Sequence, residues 1–337
     1  MIEYISSFTT GFEEIIYKKL SSVLDGAKVI NVYNGLVHYK YDGNSNDIIR
    51  IPFFNNSFYV IKFFDENKLS FDTMVSVVSR SRARYPINSG TFRVRFMRGN
   101  QFTKVDKQLS KAAELIVGKQ STLNIDRVNP STELWYVIRE EGYGFYGQLI
   151  EKRAVTEKNL DKGELRPEFA FLMCLCAEHT DKSVIMDPFA GFGAIPIQIK
   201  RNFPYHRLII NDIDAEKIQK LKRIFDNKEL DSRILLSCDD ALHQPNILRH
   251  SIDTIITDPP WGYYEEINDI RLFYKKMLKE FHRVIKVNGT VVILSARKEE
   301  FVESVESSNF FSIRNTVNTL VNGKKASVYV LEPTKRG

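Results

Sequence analysis

Four short stretches of this chain hold residue types whose spacing can do chemistry. The sharpest is Thr257-Asp258-Pro259-Pro260-Trp261-Gly262. Consecutive prolines remove two backbone donors and stiffen the loop, leaving carbonyls turned outward. The Asp258 carboxylate and the Pro259 carbonyl can then accept from both N–H groups of an amine, while Trp261 offers a flat face for a base. An amine conjugated to its ring is a poor nucleophile, so holding it in line with an electrophilic methyl carbon supplies much of the rate. The same acceptors favour the positive charge that develops on nitrogen. The plainer alternative is a Pro-Pro turn with a buried tryptophan.

The second stretch is Asp187-Pro188-Phe189-Ala190-Gly191-Phe192-Gly193, which follows a strand and opens a helix. Its glycines let backbone approach a ligand at the carboxyl end of a sheet. Pro196 stands where a dinucleotide fingerprint has its third glycine, and a first helical turn tolerates it. An acid at position 187 repels a pyrophosphate and welcomes an amine, which favours a ligand with a cationic amino-acid end. In Asn211-Asp212-Ile213-Asp214, Asp212 lies 21 residues after Gly191, the distance at which an acid meets ribose hydroxyls. Either aspartate could instead cap the helix from Ala215; the reading adopted gives Asp212, with Ile213, to the ligand and Asp214 to the cap. In Cys238-Asp239-Asp240-Ala241, Asp240 beside Ala241 is the choice for an adenine amine, a turn cap being the alternative.

These motifs need a scaffold that brings strand ends together. From Ser183 onward, strands over 183–186, 207–211, 233–237, 252–257 and 290–295 alternate with helices over 195–202, 215–227, 269–286 and 299–308. The strands are continuous Val/Ile/Leu runs, as in a parallel sheet covered on both faces. Strands 313–320 and 326–332 flank Asn322-Gly323 as an antiparallel hairpin closing the sheet edge, so six parallel elements end in one reversed strand. Upstream, 2–6, 11–24, 28–33, 36–41, 46–51 and 57–64 read as βαββαβ, a ferredoxin-like split motif, with Asn34-Gly35 as the hairpin turn. A helix over 71–82, a strand over 91–97, a helix over 103–117 and strands over 133–140 and 143–150 follow. The period-two strand 91–97 puts Arg93 and Arg95 on one face. With Arg98 and neighbouring aromatics they suit phosphate and base contacts, though charged alternation also marks an ordinary wet face.

Charge sharpens the picture. Net charge is +6 overall, yet residues 76–160 hold 15 Lys+Arg against 8 Asp+Glu, while 1–75 hold 7 against 9 and 161–337 hold 26 against 25. A local basic excess is the footprint of a polyanion partner. The best apolar run, 169–177, is about half the ~18 residues a membrane span needs. The start, Met1-Ile2-Glu3-Tyr4, lacks a signal-peptide pattern. Cys174, Cys176 and Cys238 form no CxxC pair, so a reducing cytoplasm is expected. The six histidines (38, 179, 206, 243, 250 and 282) lack metal spacing, and no metal is expected. Tyr263 and Tyr264 either clamp a base or pack the loop; Arg166 either touches a ligand or makes a surface ion pair.

At these residues the chain resembles the class I, Rossmann-like methyltransferases, with DPFAGFG as cofactor loop and DPPWG as the amino-methylating [DN]PP[YFW] motif in unpermuted order. TFRVRFMRGNQF and YGFYGQLIEKR resemble a THUMP domain, an RNA-binding module. FTTGFEEIIYKKL and GELRPEFAFLM resemble the ferredoxin-like domain and linker helix of THUMP-containing RNA guanine-N2 methyltransferases. The resemblance spans nearly the whole chain. It implies an α/β fold, with a C-terminal doubly wound methyltransferase sheet preceded by an α+β ferredoxin-like plus THUMP region. The implied domains are 1–66 (ferredoxin-like), 67–152 (THUMP), 153–182 (linker and first helix) and 183–337 (methyltransferase). The implied cofactor is S-adenosylmethionine, on Asp187, Pro188, Phe189, Gly191, Gly193, Asp212, Ile213, Asp240 and Ala241. Asp258, Pro259, Pro260 and Trp261 would be catalytic, and Arg93, Arg95 and Arg98 would hold tRNA or rRNA. A monomer without membrane contact is expected. Gln198 departs from the family's usual acid and Trp261 from its commoner Tyr or Phe, and neither removes a group the mechanism requires. The rivals are an N6-adenine methyltransferase and a non-catalytic RNA-binding protein. A nicotinamide oxidoreductase is disfavoured by Pro196 and the missing third glycine.

Overall fold

The structure, a computed structural model, describes residues 1–66, 68–152, 160, 163–225, 231–263, 267–321 and 323–334. The chain divides into two units, one of residues 1–8 and 16–154 and the other of 9–15 and 155–337.

The first unit begins β1 (Ile2–Ser7), α1 (Glu13–Val23, whose first three residues belong to the second unit), β2 (Lys28–Tyr33), β3 (Leu36–Tyr41), α2 (Ser45–Arg50) and β4 (Asn56–Asp65). These strands lie in the order β2-β3-β1-β4, all antiparallel, as the βαββαβ pattern requires. Alternation along β1 sends Tyr4 against Tyr39 and Tyr59 and Ile5 into the opposite cluster with Phe58 and Trp135. The chain continues with α3 (Phe71–Arg80), β5 (Thr91–Arg98), β6 (Gln101–Phe102), α4 (Lys107–Gln120), β7 (Asn124–Ile125), β8 (Thr132–Ile138) and β9 (Tyr143–Lys152). The helix expected from residue 103 starts later, at Lys107. Gln101–Phe102 folds back on β5, and the Asp106 side chain caps the helix by accepting from the Gln108 N–H at 2.7 Å.

The expected break at residues 66/67 does not separate two sheets. β4 pairs with β9 from Asn56↔Lys152 to Asp65↔Tyr143, so β9, β8, β5 and β6 extend the same sheet. A continuous backbone ladder cannot be cut without orphaning its donors and acceptors. Helices α3 and α4 bury their apolar stripes over Phe92, Leu134, Tyr136 and Tyr146.

The second unit holds α5 (Pro167–Leu175), β10 (Val184–Asp187), α6 (Ala194–Asn202), β11 (Arg207–Asn211), α7 (Ala215–Phe225), β12 (Ile234–Ser237), β13 (Ile252–Thr257), α8 (Ile270–Val284), β14 (Ile285–Ser295), α9 (Lys298–Ser308), β15 (Phe311–Val321) and β16 (Lys324–Pro333). The sheet order is β12-β11-β10-β13-β14-β16-β15. The first five strands are parallel, and β16 runs antiparallel to both its neighbours. The C-terminal hairpin therefore inserts its second strand into the sheet and leaves β15 at the edge; Asn322 of its turn lies outside the described residues. Helix α8 stops at Val284, short of the expected 286, because buried Ile285 turns extended and starts β14 beside Ile252.

Residues 9–15 complete this second unit. Phe12 is fully buried, edge-on to Phe169 at 5.4 Å. Thr319 Oγ1 donates to the Thr10 carbonyl at 2.9 Å. Gly11 has φ +100°, and a Cβ there would fall on the Asn318 carbonyl. Among the described residues, no helix is long and apolar enough to cross a membrane, and no His/Cys/Asp/Glu cluster could hold a metal.

Candidate active site

Strand order reverses between β10 and β13, since β11 and β12 lie on one side of that pair and β14 on the other. A parallel sheet opens a crevice at the carboxyl ends of its strands at such a point. A cavity of 620 Å³ lies there, within the usual ~300–1,000 Å³ of small-molecule sites. Its wall includes Asp187, Phe189, Gly191, Asp212, Ile213, Asp240, Ala241, Asp258, Pro259, Pro260 and Trp261. These are eleven of the thirteen cofactor and catalytic positions expected from the sequence, gathered from four loops.

The remaining two shape the wall from behind. The Pro188 carbonyl accepts from Asn211 Nδ2 at 3.1 Å. Gly193 caps α6 with φ +87°, and a Cβ there would fall on the Leu221 side chain. Only glycine takes that backbone without strain while letting α6 and α7 approach.

Asp187 ends β10 buried to 1% exposure. Its Oδ1 accepts from Thr257 Oγ1 at 2.8 Å and from the Phe189 N–H at 3.3 Å. Burial raises its pKa and Asp212 adds to the rise, while those two donors oppose it. Asp258 follows β13, and its Oδ1 is sealed from solvent without a hydrogen-bond partner. Burial raises this carboxyl too, the neighbouring Asp187 adds to the rise, and the Trp261 side chain opposes it. An unpaired buried carboxylate oxygen costs free energy that a donating ligand recovers. The site therefore holds an acceptor waiting for a donor.

Asp212 follows β11 with both oxygens engaged, Oδ2 by the Gly191 N–H at 2.7 Å and Oδ1 by the Asp214 N–H at 2.9 Å. A carboxylate oxygen has a second lone pair, so each can still accept from a hydroxyl. Asp214 Oδ1 accepts from Glu216 and Lys217 N–H groups, which makes it the helix cap. Ile213 stands 72% exposed beside them, an apolar face open to a planar ring. Asp240 is exposed and its Oδ1 accepts from the Leu242 N–H at 2.9 Å, so it caps a turn while lining the cavity.

Several contributors carry no motif of their own. Fully buried Asn211 spends its amide on the Pro188 and Asp239 carbonyls and its oxygen on Ser237 Oγ and the Asp239 N–H, stitching three strand ends together. A polar residue ending a buried apolar strand is the one signal that points to it, since interiors keep such groups only when bonded. The cavity-lining Phe273 and Lys324 carry no sequence signal, while Thr257 and Gly163, Glu164 and Leu165 lie in stretches the sequence singles out but gives no role of their own. Gln198 is buried and accepts from Asn202 Nδ2 at 3.0 Å. Arg166 lies 3.8 Å from Glu168, an ion pair. Tyr264 lies outside the described residues.

The three arginines expected to hold RNA belong to the other unit. Arg93 and Arg95 both converge on Glu133 of β8, at 2.5 and 2.7 Å, and Arg95 also lies 4.3 Å over the Phe102 ring. They are half-buried and partly neutralised rather than free on a wet face. Arg98 is exposed, 5.3 Å over the Phe71 ring.

Residues 155–326, just over half of the chain, match the family described as UPF0020: RMKL-like, methyltransferase domain. The chain belongs to this family. Curated relatives are distant. The tRNA (guanine(10)-N2)-dimethyltransferase of Methanocaldococcus jannaschii is 24% identical over 336 residues, covering 87% of this chain and 91% of that protein. The bovine (Bos taurus) U6 snRNA (guanine-N(2))-methyltransferase THUMPD2 is 25% identical over 197 residues, 57% of this chain; the match spans 38% of that longer protein. Among solved structures, TrmN from Thermus thermophilus aligns at TM-score 0.77 with 18% identity, covering 99% of this chain and all of that one. The RMKL-like chain thus has the α/β fold of a Rossmann-like methyltransferase over its second unit.

Proposed function

We propose that this protein transfers a methyl group from S-adenosylmethionine to the exocyclic N2 of a guanosine in a structured RNA. The observation that carries the reading is the Asp258 carboxyl in the wall of the cavity beside Pro259 and Trp261, with one oxygen, Oδ1, buried and without a hydrogen-bond partner. The buried carboxylate of Asp187 suits a cationic amino group, Asp212 suits ribose hydroxyls, and Ile213 with Ala241 suits the faces of an adenine whose amine reaches Asp240. Bound there, S-adenosylmethionine supplies a methyl group on a positively charged sulfur.

The chain's own residues then act on the acceptor base. The Asp258 carboxyl and the Pro259 carbonyl receive the two N2–H bonds and fix the amine's direction. Trp261 stacks on the ring, which must leave its helix because the amine is inaccessible inside one. As nitrogen gains positive charge, Asp258 in its ionised form, which rising pH favours because burial raises its pKa, stabilises that charge and accepts the departing proton. Guanine rather than adenine is favoured by the guanine-N2 activities for which the archaeal and bovine relatives are named.

The first unit, with its βαββαβ start and basic middle, is assigned as the ferredoxin-like and THUMP-type RNA-binding region. It would grip backbone and shape more than sequence. Exposed Arg98 is the better placed of the three arginines for that role. Three free cysteines, one of them exposed, fit a monomer working in a reducing cytoplasm.

The test is incubation with labelled S-adenosylmethionine and size-separated RNA pools from cells lacking the protein, followed by nucleoside mass spectrometry. Label in N2-methylguanosine or N2,N2-dimethylguanosine supports the reading and identifies the substrate pool. Label in N6-methyladenosine overturns the base, and no label despite cofactor binding overturns the RNA substrate.

A further inference from the structure

The loop carrying Asp258 and Trp261 is rich in proline, yet proline alone does not set where the loop's far end sits. Trp261 Nε1 donates to the Leu294 carbonyl at 3.3 Å, which anchors the indole to β14. A second anchor comes from just beyond that strand. Arg297 Nε donates to the Trp261 carbonyl at 3.0 Å. The same guanidinium lies 4.6 Å from the centroid of the Tyr263 ring, and its Nη1 is 3.6 Å from Glu300. One planar side chain thus holds the loop's backbone through one nitrogen and its next aromatic through its face, a combination a lysine cannot supply.

Arg297 is itself positioned. Its N–H donates to Ser295 Oγ at 3.0 Å, and Ser295 Oγ shares a hydrogen bond with buried Tyr274 at 2.9 Å. The latch is therefore fixed to the end of β14, the strand that also receives the indole. Tyr263 has a second cation against its ring, Lys324 Nζ at 3.9 Å from the centroid. With two cations on it, Tyr263 packs the latch and leaves base stacking to Trp261.

We infer that Arg297 is a positioning residue that holds the Asp258–Gly262 loop in its amine-gripping shape by locking the Trp261 carbonyl and the Tyr263 ring. The inference rests on the proposed methyl transfer for its catalytic consequence and on geometry alone for its structural one, so the two can fail separately. Trp135 is the only other tryptophan. The experiment therefore uses the full chain carrying Trp135→Phe, so that Trp261 alone reports, and compares Arg297→Ala and Arg297→Lys with that parent. Acrylamide quenching of Trp261 fluorescence is read first, with melting temperature as the check on folding. S-adenosylhomocysteine affinity by calorimetry and single-turnover methyl transfer to RNA follow.

Both variants should make Trp261 more quenchable. Both should slow transfer about tenfold to a hundredfold, the scale of a displacement of about 1 Å in reacting groups. S-adenosylhomocysteine affinity should stay within about threefold, because Arg297 does not line the cavity. Quenching unchanged in both folded variants overturns the latch. Full rescue by lysine overturns the requirement for a planar guanidinium. A parent protein that moves no methyl group counts against the proposed reaction, while the quenching result still decides the latch.

Discussion

The two sheets of this protein handle charge in opposite ways. In the second unit's sheet, β10 to β14 are parallel and run their carboxyl ends to one side, so acids that end β10 or follow β11, β12 and β13 meet around one cavity. In the first unit's largely antiparallel sheet, polar residues sit along the strands and are settled by whichever strand lies alongside. Arg93 and Arg95 meet Glu133 because β5 pairs with β8. Parallel topology turns sequence order into a site, whereas cross-strand pairing turns an apparent patch into a local neutralisation.

Removing the acceptor at the cavity gives the largest effect expected. Asp258→Ala should cut methyl transfer by about a hundredfold to a thousandfold, the scale of losing one aligned transition-state partner. Cofactor and RNA affinities should stay within a few-fold, and turnover near wild type would mean that Asp258 is not the amine's acceptor. In the other sheet, Arg93→Glu should lower stability by about 1–3 kcal/mol by placing a like charge against buried Glu133. A denaturation curve checks it. A fully stable variant would show that the arginine is free after all.

A smaller effect comes from pH. Asp187 is pushed up to about 7 and Asp258 to about 8. Both lie above the unfolded value near 3.8, so the folded protein holds these protons more tightly than the unfolded chain. Their contribution to stability is full below about pH 4 and is lost as pH rises through about 7 and 8. Melting of the ligand-free protein should fall by several degrees across that window. Asp258→Asn should flatten the dependence, and a profile unchanged by the substitution would remove Asp258 from the account. Smallest is Arg98→Glu, which should weaken RNA binding by about tenfold or less and flatten its salt dependence by one to two phosphate contacts, leaving stability alone. An unchanged salt slope would take Arg98 out of the RNA interface.

The same contrast explains which features are legible in the amino-acid sequence. The cavity is legible because each motif lies at a strand end, where apolar runs stop and Gly, Pro and Asp begin, and the fold collects such ends. β2, β3, β11 and β13 are bounded as the pattern of Val, Ile and turn residues indicates. The continuous first sheet is not legible, because no local signal announces that β4 will take β9 as its neighbour some eighty residues later. Glu133 is hidden for the same reason, and the Asn211 and Arg297 bonds depend on atoms from segments far away in sequence. The early end of α8 reflects tertiary demand, since Ile285 is as apolar as a helix core residue yet is claimed by Ile252.

The Thr10–Thr319 bond spans 309 residues. Phe12 belongs to a unit whose β15 is synthesised about 300 residues after it. At bacterial or eukaryotic translation speeds the wait is on the order of tens of seconds. Throughout it an aromatic side chain has no finished place to go, and this exposed interval is inherent in the path of the chain. The second unit cannot close until β15 has been made, so its completion joins a late segment to one made far earlier.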